Sequence, residues 1–133
     1  MSTTPPNLND VMPLMKLLGI DVQASSPEEV RARLAWAPEL CTAGGVLHGG
    51  MIMTLADSTG ALCAFLNLPE GTSTSTIESK TNFLRAVRSG HIDAVSRPLH
   101  TGRTVIVVET DVNDAAGRLV ARVIQTQAVL QPA

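Results

Sequence analysis

Asp57 stands inside the longest apolar stretch of the chain, Met51 to Leu68, which is interrupted by Thr54, Asp57, Ser58 and Thr59. A positioned carboxylate can act as a general base or as a nucleophile. The spacing predicts a helix from about Gly49 to Asn67, with Pro69 as its stop. Asp57 then lies about two turns inside, beyond the reach of capping or of the helix dipole. Asp is also a poor former of helix interiors. Thr54 and Ser58, at i−3 and i+1, complete a narrow polar stripe on an otherwise apolar rod. Either the stripe meets solvent or a buried polar partner, or it belongs to a reactive site.

A Gly-rich loop, Cys41-Thr42-Ala43-Gly44-Gly45-Val46-Leu47-His48-Gly49-Gly50, leads into this helix. The first N–H groups of a helix have no intrahelical acceptor and carry partial positive charge. Glycines there let a substrate oxygen approach closely. Such an arrangement suits an oxyanion hole for acyl transfer. The plainer reading is a tight turn that needs glycine for its backbone angles. The glycines form neither GxGxxG nor GxxxxGKS, so nucleotide-phosphate binding has no motif support.

Eight positions separate Gly49 from Asp57. On a regular helix that is roughly 80° around the axis and about 12 Å along it. One substrate carbon cannot touch both groups of one chain. If both act on one bond, they come from two subunits, and a two-fold assembly has two equivalent sites.

The elements that must position these residues follow from periodicity. A short helix is expected through Val11, Leu14, Met15, Leu17 and Leu18, capped by Asn9 or Asp10 and ended by Gly19. Glu29 to Trp36 alternates, with Val30, Ala32, Leu34 and Trp36 on one face, as a half-buried strand does. The helix carrying Asp57 is apolar nearly all round and belongs in the middle of a structure. Strands follow at Thr72–Phe83, Gly90–Pro98, Thr104–Val112 and Leu119–Leu130, with a hairpin turn at Asn113–Gly117. In the first of these, Ile77, Ser79, Thr81 and Phe83 share one face, and Thr76, Glu78, Lys80 and Asn82 the other. The order is helix, strand, central helix, then four strands in a meander, an α+β fold with an antiparallel sheet wrapped around the central helix.

Composition narrows the function classes. The 133 residues suit one domain, 1–133, with residues 1–8 as a loose N-terminal segment. Net charge is −2, and Trp36, Phe65 and Phe83 are the only aromatics, which argues against nucleic-acid binding. The N-terminus lacks the pattern of a secretory signal, and Asp57 argues against a membrane span. Cys41 and Cys63 match no metal spacing, so no metal is expected, and free thiols point to a reducing cytoplasm. A small domain this poor in aromatics gains by burying a face against a second copy.

Val46-Leu47-His48-Gly49-Gly50 followed by Leu55-Ala56-Asp57 resembles the signature of hot-dog-fold thioesterases of the phenylacetate-degradation (PaaI) type. Phe83-Leu84-Arg85-Ala86, Thr101-Gly102-Arg103 and Gly117-Arg118-Leu119-Val120-Ala121 resemble that family's later strands and turns. The resemblance runs from about Leu14 to Val129 and implies hydrolysis of an acyl-coenzyme A thioester. It implies Asp57 as nucleophile or general base, the Gly49 N–H as oxyanion donor, and His48 as a residue shaping the loop. It also implies a homodimer, commonly paired into a tetramer. Coenzyme A is part of the substrate, so no separate cofactor is expected. Relatives carry Asn or Gln where this chain has Thr42, whose hydroxyl offers one donor in place of two. They also place Ser or Thr on the strand after the helix, where Thr76, or Ser75 one register away, is the match. Arg85, Arg103 and Arg118 are candidates for the coenzyme A phosphates, with ordinary surface charge as the plainer reading. Two other functions are open: a thioesterase acting on acyl-carrier protein, and a non-catalytic acyl-thioester-binding module. His91 and His100 are expected to be solvated, and Cys63 to pack in the core.

Overall fold

The computed structural model describes residues 12–133. Asn9, Asp10 and Val11 therefore lie outside the described residues. The chain runs through α1 (Pro13–Leu18), β1 (Asp21–Ser25), β2 (Val30–Ala35), α2 (Gly49–Phe65), β3 (Ser73–Phe83), β4 (His91–Thr101), β5 (Val105–Asp114) and β6 (Leu119–Leu130). Helix α1 starts on Pro13 after Met12, without a side-chain cap, and ends on Gly19 at φ 70°. Helix α2 stops two residues before the expected Asn67. Strand β1 was not predicted: Asp21-Val22-Gln23-Ala24-Ser25 is only five residues long with one large apolar residue, and a register shift between Val22 and Ala24 keeps its burial from alternating.

All six strands form one antiparallel sheet in the order β1-β2-β4-β5-β6-β3. Helix α2 packs on its concave side against β2 through β6. This is the expected helix wrapped in a sheet, but the four late strands do not form a simple meander. Only β4, β5 and β6 follow one another. Strand β3 crosses to the far edge beside β6, and β4 pairs with β2. The helix between β2 and β3 carries the chain over the sheet, so β3 is free to lie away from β2.

The core forms where α2 meets the sheet. Leu55, Ala56, Cys63 and Ala64 of α2 are fully buried against Leu34, Ile92, Ile106, Val108 and Val120. Burial pushes the Cys63 thiol up to about 11, as suits a packing residue. Ser58 is 2% exposed, so the expected polar stripe narrows to Thr54 and Asp57. Met53 and Phe65 remain exposed on the side of α2 that its own sheet leaves uncovered.

Of the four register shifts in the sheet, two re-aim β4 and β3. Strand β4 continues past Pro98 to Thr101 because its register shifts between Pro98 and His100. Strand β3 shifts register between Thr76 and Glu78, and Ile77 is left 61% exposed. A bulge inserts one residue and exchanges the faces beyond it. Thr76 therefore shares the helix-facing side with Ser79, Thr81 and Phe83, contrary to simple alternation. From Ala121 onward strand β6 keeps its period: Val123, Gln125, Gln127 and Val129 all point inward and are buried.

Candidate active site

The site is built on the middle of α2. Asp57 is half-buried. Its Oδ1 accepts from Thr76 Oγ1 at 3.1 Å and from Gln125 Nε2 at 2.9 Å. Gln127 Nε2 donates to Thr76 Oγ1 at 2.7 Å, and Thr74 Oγ1 donates to Gln127 Oε1 at 3.0 Å. Asp57, Thr76, Thr54, Ser79 and Met53 line an open cavity of about 290 Å³. Thr76 thus reaches the carboxylate, and Ser75 lies one residue off this register.

Gln125 and Gln127 were not singled out in the sequence, although two amides between Val123 and Val129 on a period-2 face are a readable signal. Gln125 is wholly buried, and among the described residues its Oε1 has no hydrogen-bond partner. Such an orphan costs about 1–3 kcal/mol. The amide fits because Gly60 has no side chain: a Cβ there would overlap Oε1 and stand 2.8 Å from Cδ.

His48 organises the helix start. It is the N-cap of α2, and its Nδ1 accepts the Gly50 N–H at 2.7 Å. Its carbonyl accepts from Met51 N at 2.9 Å and Ile52 N at 3.4 Å. The Gly49 N–H is the remaining member of the first turn, and among the described residues nothing accepts it. Neither Gly49 nor Gly50 has positive φ; Gly44 and Gly45 do, at 77° and 75°. Proximity, not backbone angle, explains the later pair. A Cβ on Gly50 would meet His48 Nδ1 at 2.8 Å, and one on Gly49 the Phe83 ring at 3.1 Å.

Gly49 and Thr42 line a second cavity of about 390 Å³ with Ile52, Phe83 and Arg85. It shares no residue with the Asp57 cavity. Within one chain, then, the structure does not bring Gly49, His48 and Thr42 together with Asp57 and Thr76.

Arg85, Ala86 and Val87 continue into a third cavity of about 460 Å³, completed by Arg88, Ser89, Asp114 and Arg118. Arg85 and Arg118 are thus brought together, and Arg88, unremarked in the sequence, joins them. Arg88 Nη1 also donates to Gly44 O at 3.2 Å. Arg103 is exposed on the β4–β5 turn and lines none of these cavities. Arg118 Nε donates to Asp114 Oδ2 at 2.9 Å. The Arg118 backbone N–H, with its guanidinium and the Ala116 N–H, holds the Asp114 carboxyl below the usual range. His91 is partly buried, 3.3 Å from Asp93, and not simply solvated; His100 is exposed. Among the described residues no cluster of His, Cys, Asp and Glu could hold a metal ion, and no helix is long and apolar enough to cross a membrane.

A carboxylate anchored through one oxygen and a capped helix start with one N–H to spare stand on the central helix of a six-stranded antiparallel sheet, the hot-dog arrangement. The Thioesterase superfamily family model matches residues 44–121, more than half of the chain. The chain belongs to that superfamily and is a thioester hydrolase. A thioesterase from Haemophilus influenzae has the same fold, with TM-score 0.90 and 29% identity over 98% of this chain and 93% of that one. A relative from Saccharolobus solfataricus is 38% identical over 114 residues, 84% of this chain and 81% of that protein. The 1,4-dihydroxy-2-naphthoyl-CoA hydrolase of Escherichia coli is 33% identical over 86 residues, 65% of this chain and 63% of the enzyme.

Proposed function

We propose that this protein is an acyl-CoA thioesterase of the PaaI type, hydrolysing an acyl-coenzyme A to the free acid and the coenzyme A thiol. The observation that carries the reading is Asp57, a carboxylate with no capping or packing role, held by two donors at Oδ1 and opening onto a cavity. Asp57 either takes the proton of the attacking water or attacks the carbonyl itself. In the second route water then cleaves the acyl–aspartyl anhydride. Oxygen-18 incorporation into Asp57 under single turnover separates the two.

The Gly49 N–H of a partner subunit serves as the oxyanion donor. Two supports stand behind this: the two cavities are separate, and the groups lie about 12 Å apart along one helix. Strand β3 is a sheet edge that carries exposed Ile77 and Phe83, and α2 leaves Met53 and Phe65 uncovered, as suits a homodimer, with a tetramer as its further pairing. Coenzyme A is favoured over acyl-carrier protein by the Arg85, Arg88 and Arg118 cavity adjoining Gly49, since arginine forks match phosphate oxygens. The retained carboxylate disfavours a purely binding module.

The test is a hydrolysis screen over short-chain, long-chain and aromatic acyl-CoA substrates, with Asp57→Asn as control. Asp57→Asn is expected to keep the assembly and lose turnover by about 10²–10⁴-fold. An Asp57→Asn enzyme with wild-type turnover sinks the reading. Subunit sharing is tested by co-expressing Asp57→Asn with Gly49→Pro. Proline is tolerated at a first helical position but has no N–H. Each variant alone is expected to be inactive, and the mixture to regain about a quarter of wild-type activity, because half the dimers carry one intact site. No regain refutes the shared site.

A further inference from the structure

We infer that Gln125 is the positioning residue of Asp57, fixing Oδ1 as the anchored oxygen and leaving Oδ2 as the reacting one. The inference rests on the catalytic reading of Asp57 above. Both donors, Gln125 Nε2 at 2.9 Å and Thr76 Oγ1 at 3.1 Å, meet Oδ1. Among the described residues none donates to Oδ2.

Along Thr74, Gln127 and Thr76 the direction of each proton is set by the next bond. Thr74 donates to Gln127 Oε1, which turns the Gln127 amide N–H toward Thr76. Thr76 Oγ1 thereby accepts one hydrogen, so its own proton goes to Asp57. The chain Thr74–Gln127–Thr76 and the Gln125 amide both end as donors on one carboxylate oxygen. With Oδ1 held from two sides, rotation about Cβ–Cγ is restricted, and Oδ2 is the oxygen left to the cavity lined by Thr54 and Ser79.

Two local penalties converge on Gln125. Its Oε1 is buried without a partner among the described residues, and Gly60 places a glycine in the interior of α2 where a Cβ would strike that same oxygen. The fold needs neither. On the inward face of β6 Gln125 lies between Val123 and Gln127, with Val129 beyond, and a thioether or hydrocarbon of similar volume would fill its space. What the amide supplies is one N–H aimed at Asp57.

The experiment compares kcat, KM and the thermal midpoint of the full chain on one acyl-CoA that it hydrolyses. The variants are Gln125→Met, Gly60→Ala, Gln125→Ala and the Gly60→Ala/Gln125→Ala pair, with Asp57→Asn as reference. Gln125→Met is expected to lower kcat about 10–100-fold with KM within about twofold. Its midpoint should be unchanged or raised, since the orphaned oxygen is gone. Gly60→Ala should lower kcat in the wild-type background by displacing the amide, and add less than about twofold in the Gln125→Ala background. A Gln125→Met enzyme with wild-type kcat overturns the inference. So does a Gly60→Ala loss that is the same in both backgrounds, because that loss belongs to the helix and not to the amide. If Asp57→Asn stays active, it is the proposed function that fails. If Asp57→Asn is dead and Gln125→Met fully active, the positioning role alone fails.

Discussion

The Thr76 hydroxyl donates to Asp57 Oδ1 at 3.1 Å, joining an edge strand to the middle of the central helix. The bond exists because the bulge at Ile77 sets Thr76 on the helix-facing side with Ser79. Thr76→Val keeps the shape and removes the donor, and should lower kcat about tenfold. It also strands the buried Gln127 amide, costing about 1–3 kcal/mol of stability. Thr76→Ser should retain both. Steady-state kinetics with thermal melts on the two variants check this, and equal kcat in Val and Ser variants would refute it.

His48 is the cap that leaves the Gly49 N–H available. His48→Ala removes the acceptor of the Gly50 N–H and should cost about 0.5–2 kcal/mol. Gly50→Ala should act through the same group, since its Cβ would stand 2.8 Å from His48 Nδ1. Both are expected to lower kcat, and the double variant to lose little more than either single. Fully additive losses in a double-mutant cycle would separate the glycine from the histidine.

The three candidate arginines are expected to differ. Arg85→Ala and Arg118→Ala should raise KM for an acyl-CoA several-fold. The same variants should leave KM unchanged for an acyl-pantetheine, which lacks the nucleotide. Arg103→Ala should behave as wild type with both, because Arg103 lines none of the cavities. An Arg103 effect as large as that of Arg85 would contradict the placement of the phosphates.

Asp114 ties the β5–β6 turn together through the Arg118 and Ala116 N–H groups, at 2.9 and 3.0 Å. Its folded-state pKa is lowered, so its contribution is fully present above the unfolded carboxyl pKa, about 3.9, and is lost as pH falls through the folded value. Asp114→Asn should therefore melt below wild type at neutral pH. The gap should close in the acid range below the unfolded pKa. A gap constant from pH 7 to the acid limit would show that the bonds, not the charge, carry the effect.

Periodicity and local chemistry made the frame legible. Alternation at Val30, Ala32 and Leu34 and through β6, and the all-round apolar character of α2, each report burial imposed by the residue's own element. The suspicion of Asp57 was equally local, because a mid-helix carboxylate has no cap or dipole role to fill. The same is true of the separation of Gly49 and Asp57, which helix rise alone dictates. Strand β1 escaped because five residues with Val22 as the one large apolar side chain are too short a run for alternation to stand out, and an edge strand needs no more.

Long-range placement was decided only in three dimensions. Whether β3 lies beside β4 or beside β6 depends on how the chain crosses the sheet, which no residue of β3 encodes by itself. The bulge at Ile77 depends on the partner strand, so the side on which Thr76 emerges could not be read from alternation. Arg85 and Arg118 share a cavity while Arg103 does not because the sheet folds two distant turns together. Gln125 and Gly60 have meaning only as a pair: one supplies an amide too large for a closed helix face, and the other leaves the opening for it. Sequence named the carboxylate, and the tertiary structure determined which of its oxygens is held.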